Sequence, residues 1–104
     1  MLDDLSALIR NRRSVKPADM DGARPVPEEL VWRLLENATW APTHGLTEPW
    51  KFHVFTGGAR AELAQNLQRI YGEVTPADQV RPDKLAKLGQ TPLLAPVVLA
   101  CCVE

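Results

Sequence analysis

The chain has 104 residues, 45% of them apolar and 24% charged, which is enough for one small domain with a modest hydrophobic core. Twelve basic side chains against thirteen acidic ones give a net charge of -1, which excludes the broad basic field that nucleic acid or an anionic membrane would need. No apolar run is long enough to cross a bilayer, and Met1-Leu2-Asp3-Asp4 lacks the basic-then-apolar order of a secretory signal.

Leu2, Leu5, Leu8 and Ile9 recur at three- and four-residue spacing, so residues near 3–11 read as a short amphipathic helix. Asp3 or Asp4 is its expected cap. From Lys16 to Pro27, three prolines and a glycine predict an irregular connection. Pro27 then suits the first turn of a second helix, followed by Glu28 and Glu29 at the positive end of its dipole. Leu30, Val31, Leu34, Leu35, Ala38 and Ala41 share one stripe of that helix, with Trp32 at its edge and Trp40 on the opposite side. Pro42 is expected to end it.

Trp50 to Phe55 alternates with the period of a strand, and Gly57-Gly58 breaks it. Leu63, Leu67, Ile70 and Tyr71 mark a third helix. Thr75-Pro76 and Pro82 bracket short helical pieces, for which Gly89 is a plausible C-terminal cap. Pro96 to Val103 is a nearly unbroken apolar run, predicted to be a strand buried on both faces. The adjacent Cys101 and Cys102 would point to opposite faces of it, a poor arrangement for a bridge or a metal pair, and a reducing cytoplasm fits them best. Two strands are marginal alone, so the expectation is a sheet completed by a continuation of the chain or by a partner.

Two features bear on chemistry. Arg10, Arg12, Arg13 and Lys16, with Ser14 among them, form the one concentrated cationic spot, just past the first helix. Guanidinium forks and a hydroxyl suit phosphate oxygens. Cations also suit a helix C-terminus, and from spacing alone dipole compensation is the simpler account. The second feature is the loop Trp40-Ala41-Pro42-Thr43-His44-Gly45-Leu46-Thr47-Glu48-Pro49-Trp50, which joins a helix end to a strand. Loops of this kind commonly carry function, although a proline-braced turn whose tryptophans fill the core edge would look the same.

Taken together, the two features resemble the nitroreductase family of FMN-dependent oxidoreductases. Arg12-Arg13-Ser14 looks like the family's N-terminal flavin-phosphate motif, and Pro25-Val26-Pro27-Glu28-Glu29-Leu30 looks like the opening of its second helix. Trp40-Ala41-Pro42-Thr43-His44 with Leu46-Thr47-Glu48-Pro49-Trp50-Lys51-Phe52 is similar to a recurrent stretch in one of its branches. Thr43 departs from the asparagine often seen there.

The resemblance implies an α+β, nitroreductase-like fold, of which residues 1–104 are the N-terminal part of a single domain. It implies an intertwined homodimer with FMN at the subunit interface. It also implies electron transfer from NADH or NADPH through the flavin to nitroaromatic, quinone or similar acceptors; separately, His44, His53, Cys101 and Cys102 have no metal-ligand spacing, so no metal is expected. By the same resemblance Arg12, Arg13 and Ser14 hold the flavin phosphate and ribityl chain, and His44 and Trp40 line the flavin site. The contrasting expectation is a non-catalytic α+β dimerisation module that keeps the scaffold and has lost the chemistry.

Overall fold

A computed structural model describes residues 1–42, 45 and 48–103. Its helices are α1 (Leu2–Asn11), α2 (Glu28–Ala38), α3 (Ala59–Val74) and α4 (Pro82–Leu94), and its strands are β1 (Trp50–Thr56) and β2 (Val97–Val103). The two strands pair antiparallel over their whole length, from Trp50 opposite Val103 to Thr56 opposite Val97. Between them, α3 and α4 form a helical hairpin, entered through a turn at Gly57 whose φ of 53° an L side chain rarely adopts.

The helical hairpin and the sheet form the body of the molecule: α3 packs on α4 and on β1, and a 3-10 turn at Pro17–Asp19 packs on α4. Tyr71 ties the hairpin's bend, its hydroxyl accepting the Arg81 backbone N–H at 3.0 Å, with the Lys84 ammonium 5.6 Å from its ring centroid. Arg81 also holds Asp83 at 2.8 Å, and this hydrogen bond keeps the Asp83 carboxyl below its usual range. Gln68 on α3 donates its amide to the Leu85 carbonyl on α4 at 3.0 Å.

Four local expectations are corrected. Met1, not Asp3 or Asp4, occupies the N-cap of α1, and the aspartates fall in its first turn. Pro27 is likewise the N-cap of α2, so the helix begins at Glu28. Gly89 does not cap a helix: α4 runs through it to Leu94, with Pro92 inside. A Cβ at Gly89 would run into the Gln68 amide, so the glycine serves the close approach of α3. Finally, β2 is not buried on both faces; Leu99 and Val103 are exposed, and Cys101 and Cys102 are free and exposed. Four of its seven residues are exposed and the other three only partly covered.

That lack of cover is general. Among the described hydrophobic residues the core amounts to Val31, 7% exposed, and Ala64, 3% exposed. The radius of gyration is 17.1 Å, against about 13 Å for a compact domain of roughly 100 residues. Among the described residues the helix α1 shares no substantial packing with any other element, and its stripe of Leu2, Leu5, Leu8 and Ile9 lies open. Apolar clefts also remain between α2 and β1, where Val31, Trp32 and Leu35 face Val54, and among α3, α4 and β2. Among the described residues, no helix is long and apolar enough to cross a membrane.

The Gly89 contact makes a measurable prediction. Gly89→Ala gains about 1 kcal/mol of helix propensity and displaces the Gln68 amide from Leu85, which costs about as much. Alone it should leave stability nearly unchanged. In a Gln68→Ala background the same substitution should stabilise by about 1 kcal/mol, as read from urea denaturation of the four proteins in the cycle. Equal effects in both backgrounds would show that the two residues do not meet.

Candidate functional site

The cationic segment takes its geometry from the way α1 ends. The Arg12 N–H closes the last helical turn on the Leu8 carbonyl at 3.1 Å, while its φ of -61° and ψ of 134° turn the chain into extended backbone. In extended backbone, residues two apart lie on the same side. Arg12 and Ser14 accordingly come together, with the Arg12 Nη1 donating to the Ser14 hydroxyl oxygen at 3.2 Å.

Arg13 turns the other way. Its Nη1 donates to the carbonyls of Arg10 at 2.8 Å and Arg12 at 2.9 Å, placing a positive charge over the negative end of the α1 dipole. The dipole-compensation account therefore holds for Arg13, and Arg12 with Ser14 remains directed outward. All three residues are exposed, and neither arginine takes part in an ion pair among the described residues. A guanidinium and a hydroxyl side by side, without a neutralising carboxylate, make a donor set suited to a phosphate group. The fit is one of chemistry: both side chains can turn their donors to an anion without breaking an existing ion pair.

The second feature begins where α2 gives way. The Thr39 hydroxyl bonds the Glu36 carbonyl at 2.6 Å, and the N–H groups of Trp40 and Ala41 bond three residues back, to Asn37 and Ala38. This tightening ends α2 at Ala38, ahead of Pro42, and takes Ala41 out of the predicted stripe. Trp40 stands at that end, 83% exposed. Trp32 is exposed too, its indole N–H donating to Glu28 at 3.3 Å one turn back. Thr43 and His44 lie outside the described residues. No hydrogen bond among the described residues joins Trp40 to the Arg12–Ser14 segment.

A residue absent from the sequence-level site also stands out. Arg60 lies in the first turn of α3, where a positive charge opposes the helix dipole. That mismatch was visible in the sequence, but its meaning was not. The guanidinium leaves its own helix and reaches backbone carbonyls of Gly22 and of the α4 terminus.

Known proteins resemble this chain in sequence and in fold. The family model described as "Nitroreductase family" matches residues 9–101. The nitroreductase NfnB of Mycolicibacterium smegmatis is 38% identical over 66 residues, 64% of this chain and 27% of that protein. The 5,6-dimethylbenzimidazole synthase of Rhodospirillum rubrum is 43% identical over 58 residues, 56% of this chain and 26% of that protein. Among solved structures, a nitroreductase-like family protein from Bacillus cereus superposes with a TM-score of 0.68 at 26% identity, covering 93% of this chain and 48% of that one. The chain thus spans about a quarter of these curated relatives and about half of the solved neighbour. With the motif order, the α+β architecture and the family match over most of its length in agreement, the chain belongs to the nitroreductase family.

Proposed function

We propose that the protein bearing this chain is an FMN-dependent oxidoreductase that passes electrons from NADH or NADPH to nitroaromatic, quinone or related acceptors. The observation that carries this reading is the outward-facing pair of Arg12 and Ser14 at 3.2 Å, with no carboxylate paired to that guanidinium among the described residues. Family membership supports the reaction type.

When bound, FMN supplies the two-electron redox chemistry between donor and acceptor. The chain's part is to bind and orient it. Arg12 and Ser14 hold the phosphate with charge-assisted hydrogen bonds, and Arg13 adds the donors that it does not spend on α1. Trp40 offers an open aromatic face to the ring system. His44 belongs to this reading on the family resemblance alone. The two free cysteines suit the reducing cytoplasm that this reading carries.

The reading includes a homodimer with the flavin between subunits. Its support is the detached α1, whose Leu8 and Ile9 are 71% and 68% exposed, together with the open ring of Trp40. An apolar arm with no substantial packing among the described residues calls for a second surface, and we assign that surface to a second copy.

Purified protein titrated with FMN and followed by flavin absorbance tests the reading directly. Uptake of FMN supports the oxidoreductase; colourless protein that refuses it supports the association module instead. Replacing Arg12 and Ser14 together with alanine should weaken FMN affinity by about 2–4 kcal/mol, since hydrogen bonds to charged groups are worth roughly 1.5–3 each. Unchanged flavin retention would remove the phosphate assignment.

For the dimer, Leu8→Glu should weaken self-association by at least about 2 kcal/mol, the scale of burying one leucine side chain. Sedimentation equilibrium measures this, and an unaltered dimer would place the α1 stripe against something other than the second copy.

A further inference from the structure

We propose that Arg60 is a positioning residue for the Arg12–Ser14 segment, holding it in register with the body of the fold through a clamp on the loop around Gly22. The proposal rests on the flavin-phosphate reading of Arg12 and Ser14, and it concerns side chains far from them in sequence.

The problem the clamp solves is mechanical. Because α1 packs on nothing substantial among the described residues, the place of Arg12 and Ser14 relative to the body depends on the connection that follows them. That connection is stiffened locally. Pro17 fixes one backbone angle, and the 3-10 turn closes with the Asp19 N–H on the Lys16 carbonyl at 2.9 Å and the Met20 N–H on the Pro17 carbonyl at 3.1 Å. Asp21 then accepts from the Ala23 N–H at 3.1 Å through its side chain and from the Arg24 N–H at 3.2 Å through its carbonyl. Residues 16–24 are thus a braced bracket, and what matters is where it is bolted down.

Arg60 is the bolt. Its Nη1 lies 2.5 Å from the Ala95 carbonyl, 3.2 Å from Gly22 and 3.5 Å from Leu93, while its Nε donates to Gly57 at 3.2 Å. One half-buried guanidinium therefore joins the bracket, the end of α4 and the β1–α3 turn. The carbonyls at the end of α4 have no helical partners and form the negative end of its dipole, so the charge is well placed there. It makes no ion pair among the described residues. Gly22 completes the joint: a Cβ there would stand 2.7 Å from the Leu93 carbonyl oxygen and 2.9 Å from that of Leu94. These are backbone atoms of a helix end and cannot step aside, so the close seating depends on glycine.

Lysine cannot replace this arginine. An ammonium carries the charge but lacks the planar fork that reaches Gly57 from Nε and the other two segments from Nη1. A general loss of stability would weaken every ligand alike. Loss of register would act on the phosphate grip alone, so the discriminating quantity is the preference for FMN over riboflavin, which lacks the phosphate.

The test measures FMN and riboflavin affinities, and amide hydrogen exchange over residues 12–24, in the full protein as wild type, Arg60→Lys, Arg60→Ala and Arg12→Ala. Arg60→Ala and Arg60→Lys should cut the FMN-over-riboflavin preference by about tenfold, the equivalent of one charged hydrogen bond, and should speed exchange in 12–24. If Arg60→Ala does not fold, Arg60→Lys carries the same readouts. A wild type with no preference for FMN, or one unaffected by Arg12→Ala, would overturn the phosphate reading, and the clamp would then stand or fall on exchange alone. A preference that Arg12→Ala abolishes and Arg60→Lys leaves intact would overturn the positioning role. Unchanged exchange over 12–24 in Arg60→Lys would overturn the clamp itself.

Discussion

Burial of apolar side chains is the term that offsets the entropy of ordering a chain, and among the described hydrophobic residues only Val31 and Ala64 are buried. The segment's own contacts are concentrated in the helical hairpin and the paired strands. Outside that body, the stripe of α1 and the cleft between α2 and β1 leave apolar surface open. The arrangement suits the cofactor site proposed above between two subunits. A cofactor held at a junction needs elements that reach away from their own body, and α1 with its cationic end is such an element.

Polar contacts then take on work that packing does not do. Where a larger core would seat the Pro17–Asp19 turn by shape alone, this chain uses a guanidinium and a glycine against a helix end. The Arg60 charge is half-buried, and among its partners are the Leu93 and Ala95 carbonyls, at an end of α4 where helix geometry leaves carbonyls without an N–H. Such a joint is directional, and direction is what positioning a phosphate donor requires.

The elements with strong periodicity were legible from sequence. The stripe of α1, the alternation of β1 and the apolar spacing of α3 each predicted the observed element to within a few residues. What failed was inference about neighbours. An apolar run from Pro96 to Val103 states what a strand can pack against, not whether that partner lies within the same chain. Gly89 read as a helix end because glycine usually marks one, but the reason for it sits on α3 in Gln68. In the candidate site, the triplet was visible as a charge cluster. Its division into an outward Arg12–Ser14 pair and an inward Arg13 follows from the backbone turn at Arg12, which no spacing rule supplies. Arg60 was hidden because its partners are main-chain atoms, which carry no sequence signal.

The pairing of β1 with β2 across the whole α3–α4 hairpin also constrains how the molecule can assemble in time. Bringing Trp50 beside Val103 closes a long loop, and the entropy lost in doing so is recovered only after several rungs of the ladder are in place. A folded hairpin shortens that search, because α3 and α4 doubling back on each other carry Gly57 and Pro96 toward one another first. The rung nearest the hairpin, Thr56 with Val97, is then the natural place for the strands to begin zipping. Early amide protection in the helices, spreading outward to Trp50, is the signature this order would leave in a pulsed-exchange experiment.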